Sequence, residues 1–398
     1  MSPRRSHIAM VGVPIVSHVL PSLAVIRELV ARGHRVTYAN DPFVADRIES
    51  SGAELLPVSS SLPVVDNDWP SDPIAAASLF LDDAVRTLPL LRAAYDDDPA
   101  DLYLYDIGAY AARALAEAQG RPLLQLSPTF VGWDGYEQEV AAQLRKLPGA
   151  DAYQERFARW LAECGATTTD VDAFSGPPAR ALALIPRAMQ PNADRVDTGT
   201  VTFVGPCYDT RAVTGDWTRP AGADRVLLIS LGSAYTHRPD FYRRCIAAFG
   251  DLPGWHVVLQ IGRYTDPGEL GDVPSGVEVR SWVPQRAILE QADAFVTHAG
   301  MGGCGEGLLA GVPMIAVPQG AEQFMNADRL VELGVARRVD TADATPETLR
   351  TALLDLVTDT DRAARSERLR AAARAEGGTA RAVGLIEDML AAAEPPTG

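Results

Sequence analysis

Two side chains far apart in the chain have the types that proton transfer needs. His18 stands in Pro14-Ile-Val-Ser-His18-Val-Leu-Pro21-Ser22, between an apolar run that reads as a first strand and the amphipathic stretch Pro21–Ala31. Asp106 closes a second strand-like run, Asp101-Leu-Tyr-Leu-Tyr105. In an open α/β sheet, ligands sit beyond the carboxyl ends of the strands, where both residues would fall. A neutral imidazole can take a hydroxyl proton near neutral pH. A carboxylate on its other nitrogen fixes the tautomer and stabilises the imidazolium that forms. The plainer alternative is that His18 caps a helix and Asp106 merely ends a strand, and position alone leaves both open.

The second half holds a denser set. Trp282-Val283-Pro-Gln285 follows one strand, and Thr297-His298-Ala-Gly300-Met-Gly302-Gly303-Cys-Gly305-Glu306 follows the next and opens a helix. Gly311-Val-Pro313, Pro318-Gln319 and Glu322-Gln323-Phe-Met-Asn326 come after it. Glycines at a helix N-terminus let backbone N–H groups approach a diphosphate, whose charge the helix dipole favours. Ser233, at the end of the strand Val226–Ser230 and its Leu231-Gly turn, adds a hydroxyl. Gly300-Met-Gly302-Gly303-Cys-Gly305 also satisfies the dinucleotide fingerprint literally, which keeps an NAD-dependent oxidoreductase in play. That fingerprint normally sits in the first βαβ unit of its domain, whereas here three strands precede it. A lone histidine such as His298 is more often a satisfied structural residue.

These residues need strands and helices to carry them. Ile8–Val13, Arg35–Tyr38, Glu54–Val58, Leu102–Tyr105 and Leu123–Leu126 read as strands between helices at Pro21–Ala31, Pro42–Ser50 and Tyr110–Gln119. The stretch Pro128–Phe174 is helical but irregular. The alternation restarts at Val226–Ser230 and continues through Val257–Ile261, Val277–Val279, Ala294–Thr297 and Met314–Val317, with Thr345-Pro346 as a helix start. Alternating strands and helices imply parallel sheets covered on both faces. The expected architecture is α/β: two Rossmann-like domains facing across a cleft, residues 1–207 and 225–376. An aperiodic linker spans 208–224, and a final helical segment covers 377–398.

Composition removes several classes. The chain has 398 residues, 36 basic against 52 acidic side chains, and a net charge of -16. Such a balance argues against a nucleic-acid or anionic-membrane partner. Lys146 is the single lysine, so no Walker A loop exists. Cys164, Cys207, Cys245 and Cys304 lack ligand spacing and read as free thiols of a cytoplasmic protein. No apolar run approaches the roughly 20 residues of a membrane span. The DxD pairs Asp66/Asp68, Asp96/Asp98, Asp170/Asp172 and Asp359/Asp361 are scattered over turns, as chance gives in so acidic a chain. No metal is expected.

Trp282-x-x-Gln285, His298-x-Gly300, Glu306, Gly311-Val-Pro313, Pro318 and Glu322-Gln323-x-x-Asn326 resemble the nucleotide-sugar signature of family 1 glycosyltransferases, with matching spacing over more than 40 residues. Ile26–Tyr38 and Ala321–Val335 are similar to bacterial macrolide glucosyltransferases that inactivate oleandomycin-type antibiotics. The resemblance implies the GT-B fold, with the last helix crossing back to the first domain, and an inverting, metal-independent transfer from UDP-glucose to a macrolide hydroxyl. It makes His18 the general base and Asp106 its orienting partner. It stacks Trp282 on uracil, sets Gln285 at the ribose or base edge and Glu306 on the ribose hydroxyls, and gives the diphosphate to His298, Gly302, Gly303 and Ser233. Glu322 and Gln323 would meet the sugar. The first loop departs from the family: Ser17 and Leu20 stand where relatives usually have Gly and Asn. An apolar acceptor would be lined by segments holding Phe80, Tyr110, Phe130, Trp133 and Tyr136, although ordinary core packing explains such aromatics equally well. A TDP-sugar donor, another hydrophobic natural product, a nucleotide-sugar epimerase and a non-catalytic transferase partner are the competing readings. Monomer and homodimer both remain open.

Overall fold

The computed structural model describes residues 5–66, 68–208, 217–233, 236–320 and 322–393. The chain divides into two compact units, Met1–Tyr208 with Gly377–Gly398, and Asp209–Glu376.

The first unit is built on β1 (His7–Val11), β2 (Arg35–Asn40), β3 (Glu54–Pro57), β4 (Leu102–Asp106), β5 (Leu123–Ser127), β6 (Ala181–Ala183) and β7 (Val201–Phe203). They form one sheet in the order β3-β2-β1-β4-β5-β6-β7. Every pairing in it is parallel. Successive side chains alternate between two cores, as the pleat requires. Ile8, Met10, Leu102 and Leu104 point to one face and pack against Val19, Ile26 and Leu29 of the helix Val16–Ala31. Ala9, Val11, Tyr103 and Tyr105 point to the other, against Leu81, Leu88 and Leu91 of the helix Pro73–Tyr95. The order reverses between β1 and β4, where Val11 and Tyr105 are in register. Connections leave the two strand ends in opposite directions there and open a crevice beyond them.

The C-terminal helix Gly378–Ala392 belongs to this unit. Ala382, Val383, Ile386 and Leu390 join the first core. Gly378 N–H donates to the Val204 carbonyl (2.7 Å), Thr379 Oγ1 to that of Tyr208 (2.9 Å), and Arg32 to Glu387 (2.6 Å).

The second unit is built on β8 (Arg225–Ser230), β9 (Trp255–Gln260), β10 (Val277–Arg280), β11 (Ala294–Thr297), β12 (Met314–Ala316) and β13 (Ala336–Arg338). Its sheet is parallel, in the order β10-β9-β8-β11-β12-β13. The reversal falls between β8 and β11. Thr345 caps the helix Pro346–Thr358 by accepting from Thr348 N–H (3.1 Å), as its Thr-Pro start predicts.

Several expectations need correction. The first helix starts at Val16 and not at Pro21, because Val19 is drawn fully into the core and Pro21 is accepted inside the helix. His18 is therefore in a helical first turn instead of a loop. The helix Pro73–Tyr95 and the three-residue strands β6, β7 and β13 were not anticipated. Of the expected linker 208–224, residues 209–216 lie outside the described residues. Its second half packs on the second sheet: Trp217 Nε1 donates to Glu278 (3.4 Å) and Arg219 pairs with Asp293 (2.9 Å). All four cysteines are buried free thiols. Among the described residues, no helix is long and apolar enough to cross a membrane.

Ile386 is fully buried under the helix Val16–Ala31. Ile386→Ala should destabilise the first unit by about 2–5 kcal/mol, read as a lower urea midpoint. An unchanged midpoint would mean that the C-terminal helix is not docked as described.

Candidate active site

At the reversal of the first sheet, β4 ends on Asp106 and the helix after β1 carries His18 in its first turn. His18 Nδ1 lies 2.9 Å from Asp106 Oδ2 and 3.1 Å from Oδ1. The carboxylate is buried (2% side-chain exposure) and also accepts Gly108 N–H at 2.8 Å, whereas the imidazole is partly open at 23%. A carboxylate only accepts, so Nδ1 carries the proton and Nε2 keeps the lone pair. The histidine is no helix cap: Ile15 occupies that position and no side chain caps this N-terminus.

Beside the dyad, a cavity lies between the carboxyl ends of β1, β2 and β4 and the helix Pro73–Tyr95. Gly12, Val13, Asn40, Asp83, Gly108 and Tyr110 are in its wall. Phe80 approaches Gly108 so closely that a Cβ there would sit 3.0 Å from its ring, and it stacks on Trp69. Tyr110 leans on Phe157 (5.2 Å between centroids). Trp133 is buried, its indole N–H given to Glu139 (2.9 Å) and its ring edge-on to Tyr136, and Phe130 is half-buried. Phe80 and Tyr110 thus flank one glycine, and Trp133 sits in a packing arrangement of its own. Asp83, which the sequence reading passed over, is held in this wall by Ser60 Oγ (2.7 Å) and Ser61 N–H (2.6 Å).

In the second unit the corresponding reversal brings His298, just past β11, against Gly232, just past β8. A Cβ on Gly232 would fall 2.5 Å from the imidazole, and one on Gly300 2.3 Å, so only glycines admit the ring. His298 is deeply buried, its Nδ1 meets no partner among the described residues, and burial lowers its pKa to about 4 against a backbone contact at Ser230 that raises it. The helix Met301–Ala310 starts at Gly300 with no side-chain cap and no acid in its first turn. Its first N–H groups are therefore without intrahelical acceptors, and among the described residues nothing lies within 4 Å of where a Gly302 Cβ would be. Ser233 is exposed near this end.

Trp282 stands out at 59% exposure, with Val283 buried behind it and donating its N–H to Gln260 (3.2 Å). Gln285 Nε2 donates to Glu306, whose carboxyl burial pushes up. Glu322 is exposed. Gln323 is buried and accepts Gln319 N–H at Oε1 (2.9 Å), which leaves its NH₂ to donate. Among the DxD aspartates, Asp170 and Asp359 cap helices and Asp98 pairs with Arg35. Among the described residues, no three His, Cys, Asp or Glu side chains gather as a metal site.

Residues 184–368 match the family model for UDP-glucoronosyl and UDP-glucosyl transferases. The oleandomycin glycosyltransferase of Streptomyces antibioticus is 52% identical over 97% of this chain and 91% of its own. The chain belongs to this glycosyltransferase family. An NDP-glycosyltransferase of Bacillus subtilis is 30% identical over 97% of this chain and 98% of its own. Among solved structures, the glycotransferase of kitacinnamycin is 52% identical with a TM-score of 0.90, covering 97% of this chain and 99% of its own. The calicheamicin glycosyltransferase CalG4 is 30% identical with a TM-score of 0.86, covering 98% and 100%. The glycosyltransferase thus has the fold of these enzymes, two Rossmann-like parallel-sheet units.

The buried imidazole of the glycosyltransferase has a pH signature. Because the folded pKa of His298 lies below its unfolded value of 6.5, the unfolded chain takes up the proton first as pH falls. Stability should therefore drop between pH 6.5 and about 4, and His298→Gln should flatten that slope in urea titrations. An identical slope in the variant would show that His298 is not buried neutral.

Proposed function

We propose that this glycosyltransferase moves glucose from UDP-glucose to a hydroxyl of a macrolide-type antibiotic, inverting the anomeric centre without a metal ion. The observation that carries this reading is the pairing of partly open His18 with buried Asp106. The acceptor O–H gives its proton to His18 Nε2 as its oxygen bonds to the anomeric carbon. The bond from that carbon to the phosphate oxygen breaks on the opposite face, and UDP leaves with the electron pair. The resulting transition state is oxocarbenium-like, with negative charge growing on the diphosphate. The uncapped N–H groups from Met301 to Gly303 meet that charge in place of a cation, with neutral His298 as a further donor. Trp282 offers its open face to the pyrimidine, Glu306 accepts the ribose hydroxyls, and Glu322 and the NH₂ of Gln323 bind the sugar.

The acceptor class is drawn from the oleandomycin-named relative, 52% identical over 97% of this chain; the kitacinnamycin-named structure is equally similar. Exposed Leu20, two residues from the base, suits an apolar acceptor, and the net charge of -16 suits one with a cationic amino sugar. Glucosylation of that sugar would inactivate the antibiotic.

With UDP-glucose, an oleandomycin- or erythromycin-like macrolide should gain the mass of one hexose, faster than small phenols do. His18→Ala should lower turnover roughly 10²–10⁴-fold with UDP affinity retained. Near-normal turnover in that variant would contradict the mechanism, and reaction with small phenolics alone would contradict the acceptor. EDTA should leave the rate unchanged; strict dependence on added magnesium or manganese would overturn the metal-free reading.

A further inference from the structure

Ala299 has φ 61°, and among the described residues only Asn192 is another non-glycine with positive φ. Asparagine tolerates this region, whereas alanine crowds its Cβ against its own backbone there. Something must hold Ala299, and two contacts do. Thr297 Oγ1 accepts its N–H at 3.2 Å, and Asn326 Nδ2 donates to its carbonyl at 3.0 Å. Asn326 is buried (2% exposed) in the helix Gln323–Glu332, 27 residues further along.

The turn decides where its neighbours go. Gly300 follows with φ -63° and ψ 146° and starts the helix Met301–Ala310. The His298 ring is wedged between the backbones of Gly232 and Gly300, so rotation at Ala299 would drive Gly300 into the imidazole or swing the helix start away. We infer that Asn326 is a positioning residue for the donor diphosphate: its Nδ2–H latches the left-handed turn at Ala299 and thereby holds His298 and the uncapped helix N-terminus in place. The same helix begins with Gln323, so the latch ties the proposed sugar-binding segment to the diphosphate-binding one. This inference rests on the assignment of the second unit as the nucleotide-sugar site.

The test uses the full chain and UDP as the probe, with affinity by calorimetry, separate KM values for donor and acceptor, and circular dichroism. Asn326→Asp keeps the size but replaces the donating NH₂ with an acceptor, so it should weaken UDP binding roughly tenfold or more, as should Asn326→Ala. The donor KM should rise and the acceptor KM stay. Glycine adopts positive φ without a latch. Ala299→Gly alone should therefore keep UDP affinity, and Ala299→Gly added to Asn326→Ala should restore much of what the single variant lost. Unchanged UDP affinity in folded Asn326→Asp would overturn the latch. So would a double variant no better than Asn326→Ala, which would mark Asn326 as packing only. Failure of the unaltered enzyme to bind UDP would instead overturn the donor-site assignment, and the latch with it.

Discussion

A carboxylate with 2% of its side chain exposed is the constraint around which the first unit is arranged. Taking such a charge out of water costs several kcal/mol unless it is paired and hydrogen-bonded, and Asp106 meets both conditions through His18 and the Gly108 amide. Meeting them requires that β1 and β4 be neighbours, that β4 end on residue 106, and that a helix begin early enough after β1 to turn residue 18 towards it. The reversal of strand order supplies the first condition. Burial of Val19 supplies the last, by pulling the helix start back to Val16. The pair holds a partly exposed imidazole beside the reversal of the sheet, which is the arrangement the proposed base requires.

The second unit solves a different problem at the same topological position. On the proposed reading it receives an anion, in a chain with 52 acidic against 36 basic side chains. On that reading main-chain donors at a helix start without a side-chain cap stand in for point charges, beside an imidazole that burial keeps neutral. Neutrality matters, because a neutral imidazole donates a hydrogen bond without the desolvation cost of a buried cation. Close approach demands glycine at 232 and 300, and the left-handed turn at Ala299 is the strained element that results, at about 1–2 kcal/mol.

Most of the strand pattern was readable because each long strand is buried on both faces and flanked by glycine or proline. Gly33 ends its helix at φ 95°, as its place after the amphipathic run suggested. What escaped was short or ambiguous. Three-residue strands such as Ala181–Ala183 carry no periodicity, and Pro21 looked like a helix start when it is an interior residue. The helix Pro73–Tyr95 was announced by Asp72 and Pro73 but obscured by Pro89 within it. His18 and Asp106 were legible as types at strand ends, yet their contact across 88 residues of sequence depends on strand order, which local pattern does not encode. The strain at Ala299 left no trace at all, since alanine is not the residue that signals positive φ.

The central claim is that buried Asp106 fixes the tautomer of His18. Nitrogen NMR of ¹⁵N-histidine-labelled protein, with His18 assigned from a His18→Gln variant, tests it most directly. The predicted result above the imidazole pKa is a protonated Nδ1 with an unprotonated Nε2, and loss of that preference in Asp106→Asn. A His18 protonated at Nε2 in the unaltered enzyme, or one whose tautomer ignores Asp106→Asn, would contradict the account.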